Sequence, residues 1–161
     1  MLCAVLCAQL TFIFHGSWTY ETFEILKQQY NMRELRVARI VGPFALPVSS
    51  LLRGAPMLHS LILRDNTAMD EEALINISNG ALGRFLRRLE IVIRYDVGEV
   101  LDMVEAQKKT VDELIQNGCS WREEMTSLKD VVISTMHRMD SYKERIAALE
   151  EAGIHITVIV S

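Results

Sequence analysis

Catalysis needs a nucleophile, acid or base held beside partners, and side chains able to do such work are thinly spread in this chain. His15, His59, His137 and His155 stand far apart, and no two form an H-x-x-x-H or H-E-x-x-H pair. That spacing is what turns two imidazoles toward one metal ion from a helix face. The four read as surface or half-buried residues, and no metal site is expected. Gly80-Ala-Leu-Gly83-Arg84 has neither the lysine of a phosphate-binding loop nor the glycine spacing of a dinucleotide fingerprint, and Gly80 reads as a helix cap. Cys3, Cys7 and Cys119 are odd in number and contain no C-x-x-C, which speaks against a disulfide framework or a zinc site and for a reducing compartment. Cys7 reads as core and Cys119 as a loop thiol with no neighbouring base. The chain is therefore expected to be no enzyme and to hold no cofactor; a small α/β enzyme ranks last among the alternatives.

Binding is the chemistry that remains. Arg36, Ile62, Arg64, Arg88, Glu90 and Val92 each alternate with apolar residues, so in a strand they point away from the core. Thr11, Ile13, Glu34, Ala38 and Ser60 share that alternation. With the strands side by side, Arg36, Arg64, Arg88 and Glu90 would occupy neighbouring rungs about 5 Å apart and act together on an acidic or hydrogen-bonding protein partner. The alternative is mutual neutralisation, Arg88 and Arg36 against Glu90 and Glu34, as solvated ion pairs of small energetic weight. Met125, Met136 and Met139 either line an adaptable surface or fill an imperfect core.

The elements that would position these residues come from a repeat. The pattern apolar-x-x-apolar-x-apolar occurs at Cys7, Leu10, Phe12; Met32, Leu35, Val37; Leu58, Leu61, Leu63; and Leu86, Leu89, Ile91, with starting points 25, 26 and 28 residues apart. A less regular copy runs Leu128, Val131, Ile133, and Ile154, Ile156, Val158, Val160 alternate as a last strand. Four copies at near-constant spacing predict stacked parallel strands joined by helical crossovers. The crossovers are expected from Thr19 through Tyr20, Phe23 and Leu26 to Lys27; from Pro47 to Gly54; from Asp70 to Asn79 and Gly80; and over a long amphipathic stretch carrying Val97, Val100, Leu101, Val104, Val111, Leu114 and Ile115 on one face, ending at Asn117 and Gly118. An irregular insertion follows at about 117–127. A final helix from Met139 to Ala152, burying Tyr142, Ile146 and Leu149, leads through Gly153 into the terminal strand. The fold class is α/β: a leucine-rich-repeat solenoid of about five repeats plus a C-terminal helix-strand cap, one domain over 1–161, with strands on the concave face and helices on the convex face. An ordinary βαβ domain is the alternative.

The motifs Met32-Arg-Glu-Leu35-Arg-Val37, Leu58-His-Ser-Leu61-Ile-Leu63 and Leu86-Arg-Arg-Leu89-Glu-Ile91 resemble leucine-rich repeats. The run from Tyr142 to Ile156, a helix rich in Arg, Ala and Leu with a Gly-Ile turn, resembles the close of the fungal F-box/leucine-rich-repeat families. In that family an F-box docks on the adaptor of an SCF ubiquitin ligase and the repeats select the substrate. The resemblance implies a substrate-recognition region whose F-box is absent from this chain. The position that usually holds Asn or Cys reads His15, Ile40, Asn66 and Arg94; only Asn66 conforms, so less regular turns are expected.

The chain has 161 residues, half of them apolar, 24% charged, with a net charge of −4. That is enough apolar mass for one core and no charge excess that demands nucleic acid or an anionic membrane. From Arg33 to Arg94 nine arginines face six acids; from Tyr95 onward seven bases face thirteen acids. Residues 1–14 are largely apolar, yet no Lys or Arg precedes the run and it is too short to span a bilayer. The expectation is a cytoplasmic or nuclear protein with a protein partner, no nucleic acid, no metal and no membrane, and with self-association through an exposed N-terminal strand. A secreted or membrane-attached repeat domain with residues 1–14 as leader is the alternative.

Overall fold

The computed structural model describes residues 10–15, 32–39, 47–63, 69–93, 96–118, 125–136 and 140–160, the first two stretches by their backbone alone. Several expectations lie outside the described residues: the segment 1–9 with Cys3 and Cys7, the crossover from Thr19 to Lys27, Arg64, Ile40, Asn66, Arg94, Cys119 and most of the insertion. The fold is α/β. Six strands, β1 (Leu10–His15), β2 (Met32–Arg39), β3 (Ser60–Leu63), β4 (Arg88–Ile93), β5 (Asp130–Thr135) and β6 (His155–Val160), form one sheet in chain order. Every neighbouring pair is parallel.

Register explains why the recurring apolar positions matter. Leu35 stands opposite Leu61, Leu61 opposite Leu89, Leu89 opposite Val131, and Val131 opposite Ile156. Of these, Leu61, Leu89, Val131 and Ile156 are buried, as are Leu63, Ile91 and Ile133 two residues on. The first motif needs a correction. Phe12 pairs with Leu35 and Phe14 with Val37, with a register shift between Leu10 and Thr11. The strand's equivalents are thus Phe12 and Phe14 rather than Leu10 and Phe12. Leu10, Phe12 and Phe14 alternate without a break, so two registers two residues apart satisfy the same apolar pattern and only strand pairing separates them.

Four described helices contribute to the same core as these strand residues. In α1 (Val48–Gly54) Val48, Leu51 and Leu52 are buried. In α2 (Glu71–Ser78) Ala73 and Ile77 are buried, Glu71 and Glu72 sit in the first turn, and Asn79 closes the helix before Gly80 at φ +74°. In α3 (Val97–Gln116) the stripe Val97, Val100, Leu101, Val104 and Val111 is buried. The stripe ends earlier than expected: Leu114 is half-buried and Ile115 is 44% exposed, because the last turn projects past the core. The final helix is also shorter than expected. A 3-10 turn at Asp140–Tyr142 precedes α4 (Lys143–Glu151), which buries Leu149 and packs Tyr142 and Ile146 against the core.

Polar contacts tie these pieces together. Arg145 of α4 reaches Glu105 at 2.9 Å and Asp102 at 2.5 Å on α3. The Tyr142 hydroxyl donates to Asp96, whose carboxylate also caps α3 by accepting from the Gly98 N–H at 2.9 Å. At the strand entrances one backbone bond recurs. The His59 carbonyl accepts from the N–H groups of Arg87 and Arg88 at 2.8 and 3.1 Å, the Arg87 carbonyl from Lys129 and Asp130 at 2.8 and 3.1 Å, and the Lys129 carbonyl from His155 at 2.8 Å. The residues before these carbonyls, Leu58, Leu86 and Leu128, are completely buried. Where the chain leads into β5, the buried Gln107 of α3 accepts from the Leu128 N–H at 3.0 Å, which satisfies a donor that burial would otherwise strand.

Asp70 joins two crossovers. One carboxylate oxygen accepts from Ala73 N–H at the start of α2 and the other from Ser49 N–H of α1, both at 3.0 Å. Partial burial works to raise its carboxyl, but the hydrogen bonds from Ser49 and Ala73 outweigh it and hold the group below its ordinary value. A depressed folded value means that its stabilisation is present at neutral pH and is lost as pH falls through the unfolded value near 4 toward the folded one. Asp70→Ala should cost about 1–2 kcal/mol at pH 7 by urea denaturation, and the gap to wild type should narrow below about pH 4.

Candidate functional site: the open face of the sheet

Because the four described helices share the core with Leu61, Leu89, Val131 and Ile156, the alternate residues of β3 to β6 face the other way. Strand pairing arranges them in rungs. One rung runs Thr11, Glu34, Ser60, Arg88, Asp130, His155, and the next runs Ile13, Arg36, Ile62, Glu90, Val132, Thr157. Above these, Val92 stands opposite Ser134 and Ser134 opposite Ile159. Polar and apolar side chains are mixed in each rung.

The charges are organised around Arg88. Its guanidinium bridges Glu90 at 3.4 Å on its own strand and Asp130 at 3.2 Å on β5. Arg88 keeps 45% of its side-chain exposure and Asp130 32%, while Glu90 retains 15%. Solvent at that level screens the attraction, so the bridge fixes geometry more than it stabilises the fold. At the outer edge His155 is exposed and its Nε2 lies 3.3 Å from the Thr157 hydroxyl.

Of the six residues singled out from the sequence, Arg88, Glu90 and Val92 lie on this face, exposed or half-buried. Arg36 is placed on β2, opposite Ile62, by its backbone; Arg64 lies outside the described residues. One expectation changes. Ile62 is on the face but only 4% exposed, so it forms floor rather than contact surface. It belongs to an interior strand, with Arg36 and Glu90 opposite it on the strands to either side. Arg88 shares its rung with Ser60 and Asp130, and Arg36 stands in the neighbouring rung with Ile62 and Glu90.

Sequence reasoning missed the β5 and β6 share of the face: Asp130, Val132, Ser134, Thr157 and Ile159. The signal was present, because these residues alternate with Val131, Ile133, Ile156 and Val158, already assigned to strands. Ile159 is 49% exposed, so the face carries an apolar residue at its outer margin. The methionines divide. Met125 is buried and packs where a side chain on Gly80 would have to go, Met136 is 75% exposed, and Met139 lies outside the described residues.

No family model matches this chain, and no curated protein or solved structure matches it either. What the face can do follows from its own chemistry. Among the described residues no three His, Cys, Asp or Glu side chains gather to hold a metal ion, and no helix is long and apolar enough to cross a membrane. His59 packs near Phe85, ring centroids 6.3 Å apart, at the entrance to β3, while His155 lies three strands away on β6.

If the Arg88 bridge acts on the surface alone, Arg88→Gln should change the unfolding free energy by less than about 1 kcal/mol. Urea denaturation checks this, and a loss above about 2 kcal/mol would instead make Arg88 a structural tie between β4 and β5.

Proposed function

We propose that this chain is a leucine-rich-repeat solenoid that serves as a protein-interaction module, with the open face of its sheet as the contact surface. The observation that carries the reading is the strand order. Six parallel strands follow one another without reversal, whereas an open doubly wound α/β sheet reverses its order and places a ligand crevice at the switch point. Steps of 23, 26, 28, 42 and 25 residues separate the stacked positions Phe12, Leu35, Leu61, Leu89, Val131 and Ile156. All but the fourth suit one strand and one crossover of a leucine-rich repeat; the fourth contains the twenty-residue α3 and the insertion.

In such a stack the helices line the outside and the strands form a curved inner wall open to a partner. The mixed rungs suit a protein surface: Arg88, Glu90 and Asp130 offer both signs of charge, and Val92, Val132 and Ile159 offer apolar contact between them. The resemblance to F-box/leucine-rich-repeat proteins makes the substrate-recognition region of such a protein the specific form of the proposal, a binding role without chemistry of its own.

The test compares two faces. Val92→Arg and Ser134→Arg enlarge half-buried positions of the inner wall, while Lys109→Glu and Glu113→Lys alter exposed positions on α3. Partner capture, read by quantitative mass spectrometry with matched thermal melts, should fall at least tenfold for the first pair and stay unchanged for the second. Capture that survives the inner-wall variants and fails in the α3 variants would place the contact on the helices and overturn the reading.

A further inference from the structure

A pocket lies away from the sheet's outward face, and no residue of the rungs lines it. It measures about 350 Å³ and sits between the last turns of α3, the segment leading into β5, the residue before β4 and the turn after α4. Three cations reach it: Arg87, Lys108 and Lys129. Lys108 is committed to Asp112, at 2.5 Å from its carboxylate on the next turn of the helix. Arg87 and Lys129 are exposed and have no ion-pair partner among the described residues. Among the described residues the pocket therefore carries two uncompensated positive charges, in a chain whose net charge is −4.

A hydroxyl completes the polar set. Ser127 lines the pocket with only 8% of its surface exposed, and its Oγ makes no hydrogen bond among the described residues. Its hydroxyl is thus not committed to a described partner, whereas the neighbouring Thr126 hydroxyl is given to the Arg84 carbonyl at 3.3 Å. The same helix also brings apolar lining: Val111 is buried and Ile115 is 44% exposed.

We infer that this pocket binds a phosphate monoester borne on an apolar or aromatic stem. A monoester is close to a dianion at neutral pH, since its second ionisation falls near pH 6, and two charges match Arg87 and Lys129. Its oxygens accept from the guanidinium, the ammonium and the Ser127 hydroxyl, the charge-assisted arrangement that favours Arg and Lys around phosphate. The apolar lining takes the stem. A carboxylate would neutralise only one of the two cations and leave the other in the pocket unmatched. The site is independent of the open-face reading, so either can fail alone.

The probes are phenyl phosphate, benzoate and N-acetyl-phosphotyrosine amide, titrated into the full chain by isothermal calorimetry and by amide chemical shifts. Phenyl phosphate should bind at least tenfold more tightly than benzoate at pH 7.5 and weaken as pH falls through the second ionisation near 6. Arg87→Gln and Lys129→Gln should each weaken it about tenfold and Ser127→Ala about threefold, with melting curves unchanged. Lys109→Gln, on the same helix but outside the pocket, should leave it unaltered. Tighter binding of the phosphotyrosine amide than of phenyl phosphate assigns the ester to a phosphorylated protein, and equal binding assigns it to a small molecule. No saturable binding of phenyl phosphate up to about 10 mM, or binding indifferent to the Arg87 and Lys129 substitutions, overturns the inference.

Discussion

A parallel strand cannot find its hydrogen-bonding partner within its own strand-helix unit; the next unit must supply it. The dependence is visible at the strand entrances, where the carbonyls of His59, Arg87 and Lys129 each bind the N–H groups of the following strand. Immediately before these carbonyls, Leu58, Leu86 and Leu128 fill the core completely. Hydrogen bonding and apolar burial thus share one register, and slipping either by one residue would turn Leu61, Leu89 and Val131 out of the core. The helices follow from this, since each must carry the chain back over the same core to begin the next strand. Asp70 and Gln107 are where the returning chain is fastened by single side chains.

The same constraint produces the candidate surface. With the described helices on the core side, the opposite residues of β3 to β6 meet one another across the strands. Their positions are then set by strand pairing rather than by local packing, which is why Arg88 meets Asp130 from a strand 42 residues away along the chain. A wall built this way tolerates changes of side-chain type, because its scaffold is the backbone ladder and the core beneath. Such tolerance suits recognition, where the surface must vary while the support does not.

Much of this was legible in the sequence. Spacing of Leu58, Leu61, Leu63 and of Leu86, Leu89, Ile91 identified the strands and the faces they bury. Asp70 with Asn79 and Gly80, and Asn117 with Gly118, marked helix ends through capping chemistry that acts over three or four residues. The rest depended on contacts distant in sequence. Periodicity could not choose between the two registers of Leu10-Thr-Phe-Ile-Phe14, and it could not reveal that Ile62 would be almost fully buried. The separate rungs of the arginines, by contrast, were legible from their motifs. Arg36 and Arg88 hold different positions relative to Leu35 and Leu89 in their motifs, one following the leucine and one preceding it, and that single offset separates them. The pocket around Ser127 was invisible, since its walls come from four separate segments.

Strand order is the property on which the account rests, and interstrand nuclear Overhauser effects read it most directly. The stacked arrangement predicts backbone cross-peaks of parallel type linking Leu61 to Leu89, Leu89 to Val131 and Val131 to Ile156, each strand touching only its neighbours in the chain. Cross-peaks joining β3 directly to β5, or antiparallel patterns between any of these pairs, would contradict it.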